Sequence, residues 1–135
     1  MPTVIEEKDK IREVLAEYCF NLDGGHFANM AALFTLDGTW DTAFGKASGR
    51  AAIAQLAQDI RAKAGPDRPR AVHLVANIAI DLHGDRALVR SNWVVIQNGP
   101  AGPAIGSAGA YDDEMVNEGG EWRFHYRKID RFIAG

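Results

Sequence analysis

Cysteine is almost missing from this chain: its 135 residues hold one, Cys19. A single cysteine forms no intramolecular disulfide and supplies no Cys-based zinc site. Long apolar runs are also missing, and no segment reaches the ~20 residues that a membrane-spanning helix needs. Positive charge is not in excess, since 15 Lys and Arg against 18 Asp and Glu leave a formal charge of −3. The basic residues are scattered, so the footprint of a nucleic-acid or membrane-surface binder is lacking. The opening stretch "MPTVIEEKDKIREV" carries acids early and no continuous apolar segment, and is not read as a signal peptide. The expectation is a cytoplasmic protein with no nucleic-acid and no membrane partner.

What is present is hydrophobic residue in quantity, 47% of the chain, enough for one domain over residues 1–135 with a real core. Ile11, Val14, Leu15, Tyr18 and Leu22 fall at helical spacing and predict an amphipathic helix over roughly 5–22, stopped by Gly24 and Gly25. A short second helix follows, with Phe27, Met30, Leu33 and Phe34 as its inner stripe. "GTWDTAF", 38–44, reads as a strand with Trp40, Thr42 and Phe44 on one side, and a turn runs from Gly45 to Gly49. Ile53, Leu56, Ala57 and Ile60 mark a third helix that ends at Gly65 and Pro66.

The pattern then turns from helical to extended. Residues 71–82, 87–97, 105–117 and 121–133 read as four strands joined by a turn at 83–86, a Gly/Pro-rich loop and a hairpin around Glu118 to Gly120. In the first of them Val72, Leu74, Ala76, Ile78 and Ile80 share one face, and His73, Val75, Asn77, Ala79 and Asp81 the other. Helices first and consecutive strands later predict an α+β domain with helices packed on one face of an antiparallel sheet. A strongly curved sheet covered in this way makes a cone whose closed end suits a small, mostly apolar ligand.

Asp23 is the first residue to question. A carboxylate at a helix C-terminus opposes the macrodipole, which favours cations there. It serves the following turn, or it faces a partner that gains from a fixed negative charge. His73, near the start of a strand, is the candidate partner, and its alternative is a hydrogen-bonded strand residue. Paired, the carboxylate would hold one ring nitrogen and leave the other as a base. His26, His83 and His125 lie in three different elements without metal-ligand spacing, so neither a metal nor another cofactor is expected. Arg127 shares an alternation with Arg123, His125, Ile129 and Arg131; it is a solvated strand arginine or, pointing inward, a stabiliser of developing negative charge. Tyr18 lies on the apolar stripe and needs a hydroxyl partner. Trp40, Trp93, Tyr111 and Met115 are core residues or pocket walls.

Several segments in order, "YCFNLD", "LFTLDGTW", "GRAAI", "VHLVANIAI" and "GAYDDEMVNEGGEWRFHYR", resemble SnoaL-like members of the NTF2-like superfamily. The likeness covers nearly the whole length and is greatest to the scytalone dehydratase and lindane dehydrochlorinase branch. It implies a cone-shaped, cystatin-like fold with three N-terminal helices enclosing a pocket. It also implies an Asp–His dyad at Asp23 and His73, with a catalytic arginine at Arg127. At the position of the dehydrochlorinase's lysine stands Tyr18, which carries no fixed positive charge. The dehydratase's second histidine has no counterpart, only Asn92, Gln97 or Asn98 nearby. The function expected is a cofactor-free lyase or isomerase, dehydratase-like, acting on a small apolar or aromatic molecule through Asp23, His73, Arg127 and Tyr18. The alternatives are a non-catalytic ligand-binding or oligomerisation module, or an accessory subunit resembling the small subunit of ring-hydroxylating dioxygenases. Either way the apolar face of 71–82 needs cover, so a homo-oligomer, dimer or trimer, is expected.

Overall fold

Thr3 starts the first helix, its hydroxyl accepting the Glu6 N–H at 3.1 Å in a Thr-x-x-Glu cap. In the computed structural model, which describes residues 2–134, this helix α1 spans Val4–Gly24. Its end is a Schellman turn: Gly25 takes φ +76°, and the N–H groups of Gly25 and His26 return to Leu22 and Asn21 carbonyls. Helix α2, Phe27–Ala31, strand β1, Phe34–Thr42, strand β2, Gly45–Ser48, and helix α3, Arg50–Ala64, follow. The remaining strands are β3, Ala71–His83, β4, Arg86–Gly99, β5, Gly102–Glu118, and β6, Glu121–Ala134.

Two expectations for the first half change. Phe34 is the first residue of β1, buried beside Phe124 with ring centroids 5.1 Å apart, and not part of the second helix. The stretch expected as a turn, Gly45 to Gly49, contains β2, which forms a hairpin with β1 through Trp40 opposite Ala47. The six strands form one curved sheet in the order β2-β1-β6-β5-β4-β3. It is antiparallel except where β1 lies parallel to β6, because β2, α3 and the strands β3 to β5 intervene and return the chain from the far side.

Bulges bend this sheet and change which side chains face inward. In β3, Asn77 and Ile78 together oppose Ser91, with Asn77 at φ +54°. Asparagine tolerates that left-handed conformation better than most residues. Beyond the bulge the alternation inverts: Ile78, Ile80 and Leu82 turn inward with His73 and Val75, while Ala79 and Asp81 face out. The single apolar face expected along 72–80 is therefore split. A second bulge at His125 does the same in β6. Trp122 and Phe124 are buried before it, and Arg127 is buried after it, so Arg123 and His125 do not share the face of Arg127.

The core lies between α1 and the inner face, where Ile11, Leu15 and Tyr18 meet Phe124 and Tyr111. Each such side chain contributes roughly 1.5–3 kcal/mol on full burial. At the other end of the sheet, beyond Tyr18, the packing opens into a cavity. Among the described residues no helix is long and apolar enough to cross a membrane.

Candidate functional site

The cavity, about 270 Å³, is enclosed by the C-terminal turns of α1 and α3, the β1–β2 turn and the inner faces of β3 to β6. Its floor follows from strand register. His73, Val95 and Ser107 stand side by side in one row, and Val75, Trp93, Gly109 and Arg131 in the next. Gly109 is required there. A Cβ at that position would lie 1.8 Å from the Asp130 carbonyl oxygen and 2.9 Å from the Trp93 indole, whose Nε1–H donates to the Ala110 carbonyl at 3.2 Å.

Asp23, in the last turn of α1, reaches the edge strand β3 with both oxygens. Oδ2 accepts the His73 main-chain N–H at 2.8 Å, and Oδ1 lies 2.5 Å from His73 Nδ1. An edge strand leaves alternate N–H groups without a strand partner, and here a carboxylate fills that role. A carboxylate only accepts, so Nδ1 carries the proton and the lone pair sits on Nε2. Both side chains are about one-fifth exposed, toward the cavity that they line. The unfavourable helix-end position is offset from α3. Arg61 Nη2 donates to the Leu22 and Asp23 carbonyls at 3.0 and 3.3 Å, bringing the cation that the last turn of α1 lacks.

Tyr18, Trp40, Trp93 and Tyr111 also line the cavity. Trp40 Nε1–H donates to the Tyr18 hydroxyl at 2.9 Å. An indole N–H can only donate, so Tyr18 accepts, and among the described residues its own hydroxyl proton has no acceptor. Burial pushes the Tyr18 pKa up, with Arg127 opposing, so this group is a neutral donor at physiological pH. The sequence had paired Thr42 and Phe44 with Trp40, and all three line the cavity.

Arg127 and Met115 do not line it, although both are fully buried. Arg127 lies behind the tyrosine wall, its guanidinium 3.5 Å from the Tyr111 ring centroid, 4.1 Å from that of Tyr18 and 4.5 Å from that of Phe124. Its Nε is 3.0 Å from Oδ1 of Asp113, its direct neighbour across β5 and β6. The expected contact of Arg127 with a substrate is thus corrected to a buried ion pair in an aromatic cage. Met115 is core, packed beside Phe124, which it opposes in the sheet. Burial pushes the Asp113 carboxyl up to about 6, with Arg127 pulling it back only in part.

Sequence reasoning missed three arginines that line the cavity: Arg61, Arg68 and Arg131. Only Arg131 carried a signal, its place two strand positions past Ile129. Among the described residues no group of three His, Cys, Asp or Glu side chains is arranged to hold a metal ion. Cys19 is buried, and burial pushes its thiol up to about 11.

A helix-covered curved sheet with a cavity at one end defines the class, and comparison with known proteins gives the family. The chain belongs to the SnoaL-like family, whose domain model matches residues 3–128. Many solved structures are similar, among them three from one organism. An NTF2-like protein with a cystatin-like fold from Novosphingobium aromaticivorans is 26% identical, with a TM-score of 0.81 over 93% of this chain and 82% of that one. A candidate scytalone dehydratase from the same organism is 27% identical, with a TM-score of 0.76 over 94% and 85%. The β subunit of a candidate aromatic-ring-hydroxylating dioxygenase, also from that organism, is 20% identical, with a TM-score of 0.75 over 94% and 90%, and shows the fold alone. No curated protein matches the chain.

Proposed function

We propose that this SnoaL-like protein is a lyase or isomerase in which His73, held by Asp23, removes an acidic C–H proton from a small apolar or aromatic substrate. The observation that carries the reading is the two-point grip of Asp23 on His73, which leaves Nε2 as the free base of a largely apolar cavity. The carboxylate stabilises the imidazolium that forms, and an oriented base of this kind contributes about 10²–10⁴ in rate. Negative charge then grows on a substrate oxygen, where the free Tyr18 proton supplies a hydrogen bond. Arg127, paired with Asp113 behind the aromatic wall, packs against the Tyr18 and Tyr111 rings and holds them in place without substrate contact. Loss of a β-leaving group completes an elimination, and return of the proton at another carbon completes an isomerisation. No cofactor is needed for either step. The likeness to a candidate scytalone dehydratase supports the reading.

The test is deuterium exchange into an aromatic ketone, tetralone, followed by NMR. The wild-type protein is expected to accelerate exchange, and His73→Ala, with folding retained, to lose at least a hundredfold. Equal exchange in both proteins rejects the base.

We also propose that the protein assembles with itself through the outer sheet face. Leu74, Val94, Ala108 and Ile133 form one continuous row there, and Val72, Ile96 and Ile105 the next. Ile105 and Ile133 are more than half exposed, so the isolated chain leaves an apolar patch uncovered.

A further inference from the structure

We propose that the substrate is an acid: an apolar or aromatic body fills the cavity while its carboxylate is held at the mouth by Arg61, Arg68 and Arg131. This deepens the reading above, since it takes the same cavity as the substrate site. The chain has a net charge of −3, yet three guanidinium groups line this one cavity. Among the described residues the only carboxylate lining it is Asp23, and both of its oxygens are already taken by His73. Among the described residues none of the three arginines forms an ion pair with an acidic side chain.

Two of these arginines are held in place by the cavity wall itself. Arg61 lies over the Phe27 ring at 5.1 Å and Arg131 over Phe44 at 5.4 Å, and both rings line the cavity. Arg61 spends Nη2 on the end of α1, and its Nη1 occupies the space that a Cβ on Gly25 would fill, at 2.7 Å. Burial, and after it the nearby charge of Arg68, lower the Arg61 pKa, with Asp23 opposing. Two like charges converging on a partly buried mouth are a cost that a bound anion removes. Guanidinium is also the side chain suited to a carboxylate, which it binds through paired N–H donors. Because Arg61 is bonded to the Asp23 carbonyl, an acid anchored there lies next to the His73 base.

The experiment compares naphthoate with its uncharged analogue naphthamide by calorimetry at low salt, with benzoate and cinnamate and their amides alongside. The acids are expected to bind about tenfold more tightly than the amides, with the difference shrinking in high salt. Arg68→Gln and Arg131→Gln, on side chains with no structural hydrogen bond, should each remove about three- to tenfold of acid affinity and leave the amides within twofold. Amides that bind as tightly as acids, variants that weaken both equally, or no acid bound from the panel would each overturn the assignment. Binding is read without turnover. An acid preference without His73-dependent exchange sinks the proposed chemistry alone, and exchange without an acid preference sinks the anion site alone.

Discussion

Replacing Asp23 with asparagine keeps the side chain's shape and inverts the chemistry of its partner. Oδ2 accepts a main-chain N–H from His73 at 2.8 Å, a donor that cannot turn away. The new amide must present its carbonyl oxygen to that N–H, which puts its NH₂ group where Oδ1 stood, 2.5 Å from Nδ1. An NH₂ group only donates, so Nδ1 becomes the acceptor and the ring proton moves to Nε2. The base then points its lone pair at the asparagine and its proton at the cavity. The same tautomer trap in a serine protease triad lowers kcat by about 10⁴. A loss of about 10³–10⁴ is expected in tetralone exchange, equivalent to roughly 4–5.5 kcal/mol of transition-state stabilisation. Stability should fall by only about 1–2 kcal/mol, because both contacts are remade without charge on a pair that is part-exposed. Long-range ¹H–¹⁵N correlation reads the tautomer directly, with Nδ1–H expected in the wild type and Nε2–H in the variant. An Asp23→Asn protein that keeps Nδ1–H and wild-type exchange would refute the dyad.

Arg127→Met leaves Asp113 buried without its counter-ion, and equilibrium denaturation at neutral pH should show a loss of about 3–5 kcal/mol. Asp113 already holds its proton up to about pH 6, above its ordinary 3.8, so its ionisation removes stability as pH rises through that window. Without Arg127 the window extends upward, and the variant should recover part of its loss on acidification; denaturation at pH 5 and pH 8 checks the sign. Gly109→Ala drives a methyl group into the Asp130 carbonyl, and thermal unfolding should show a loss of ~4 kcal/mol or more, or no folded protein. At the β3 bulge, Asn77→Gly should stay within about 0.5 kcal/mol of wild type, whereas Asn77→Val should lose about 1–3 kcal/mol. Leu74→Glu places a charge in the outer apolar row, and light scattering should report a smaller assembly than the wild type forms.

Where periodicity alone determines structure, the chain was readable. The three helices and the four late strands follow from apolar spacing and glycine stops, whereas the pairing of Asp23 with His73 comes from the family likeness and not from any pattern in the chain. Bulges were not readable, because one extra residue in a strand leaves no mark in composition. Asn77 inverts the facing of Ile78 and Ile80, and His125 separates Arg127 from Arg123. Nor was the site of Arg127 readable, since an arginine among alternating polar residues looks solvated until a carboxylate and three aromatic rings are found around it. The grip of Asp23 on a main-chain N–H was invisible for a further reason: every residue except proline carries that donor, and only the edge position of β3 leaves it open. Arg61 and Arg68 reach the cavity from the end of α3 and the loop after it, and no local pattern announces such convergence.

The clasp between Asp23 and His73 has a second effect. By taking the His73 amide, the carboxylate also blocks an exposed strand margin against which another chain could lay a strand of its own. Removing the imidazole would leave that barrier in place, while removing the carboxylate would unlatch it. One side chain therefore both holds an imidazole and guards a sheet edge, and Asp23 would keep the second task in a protein that had lost His73.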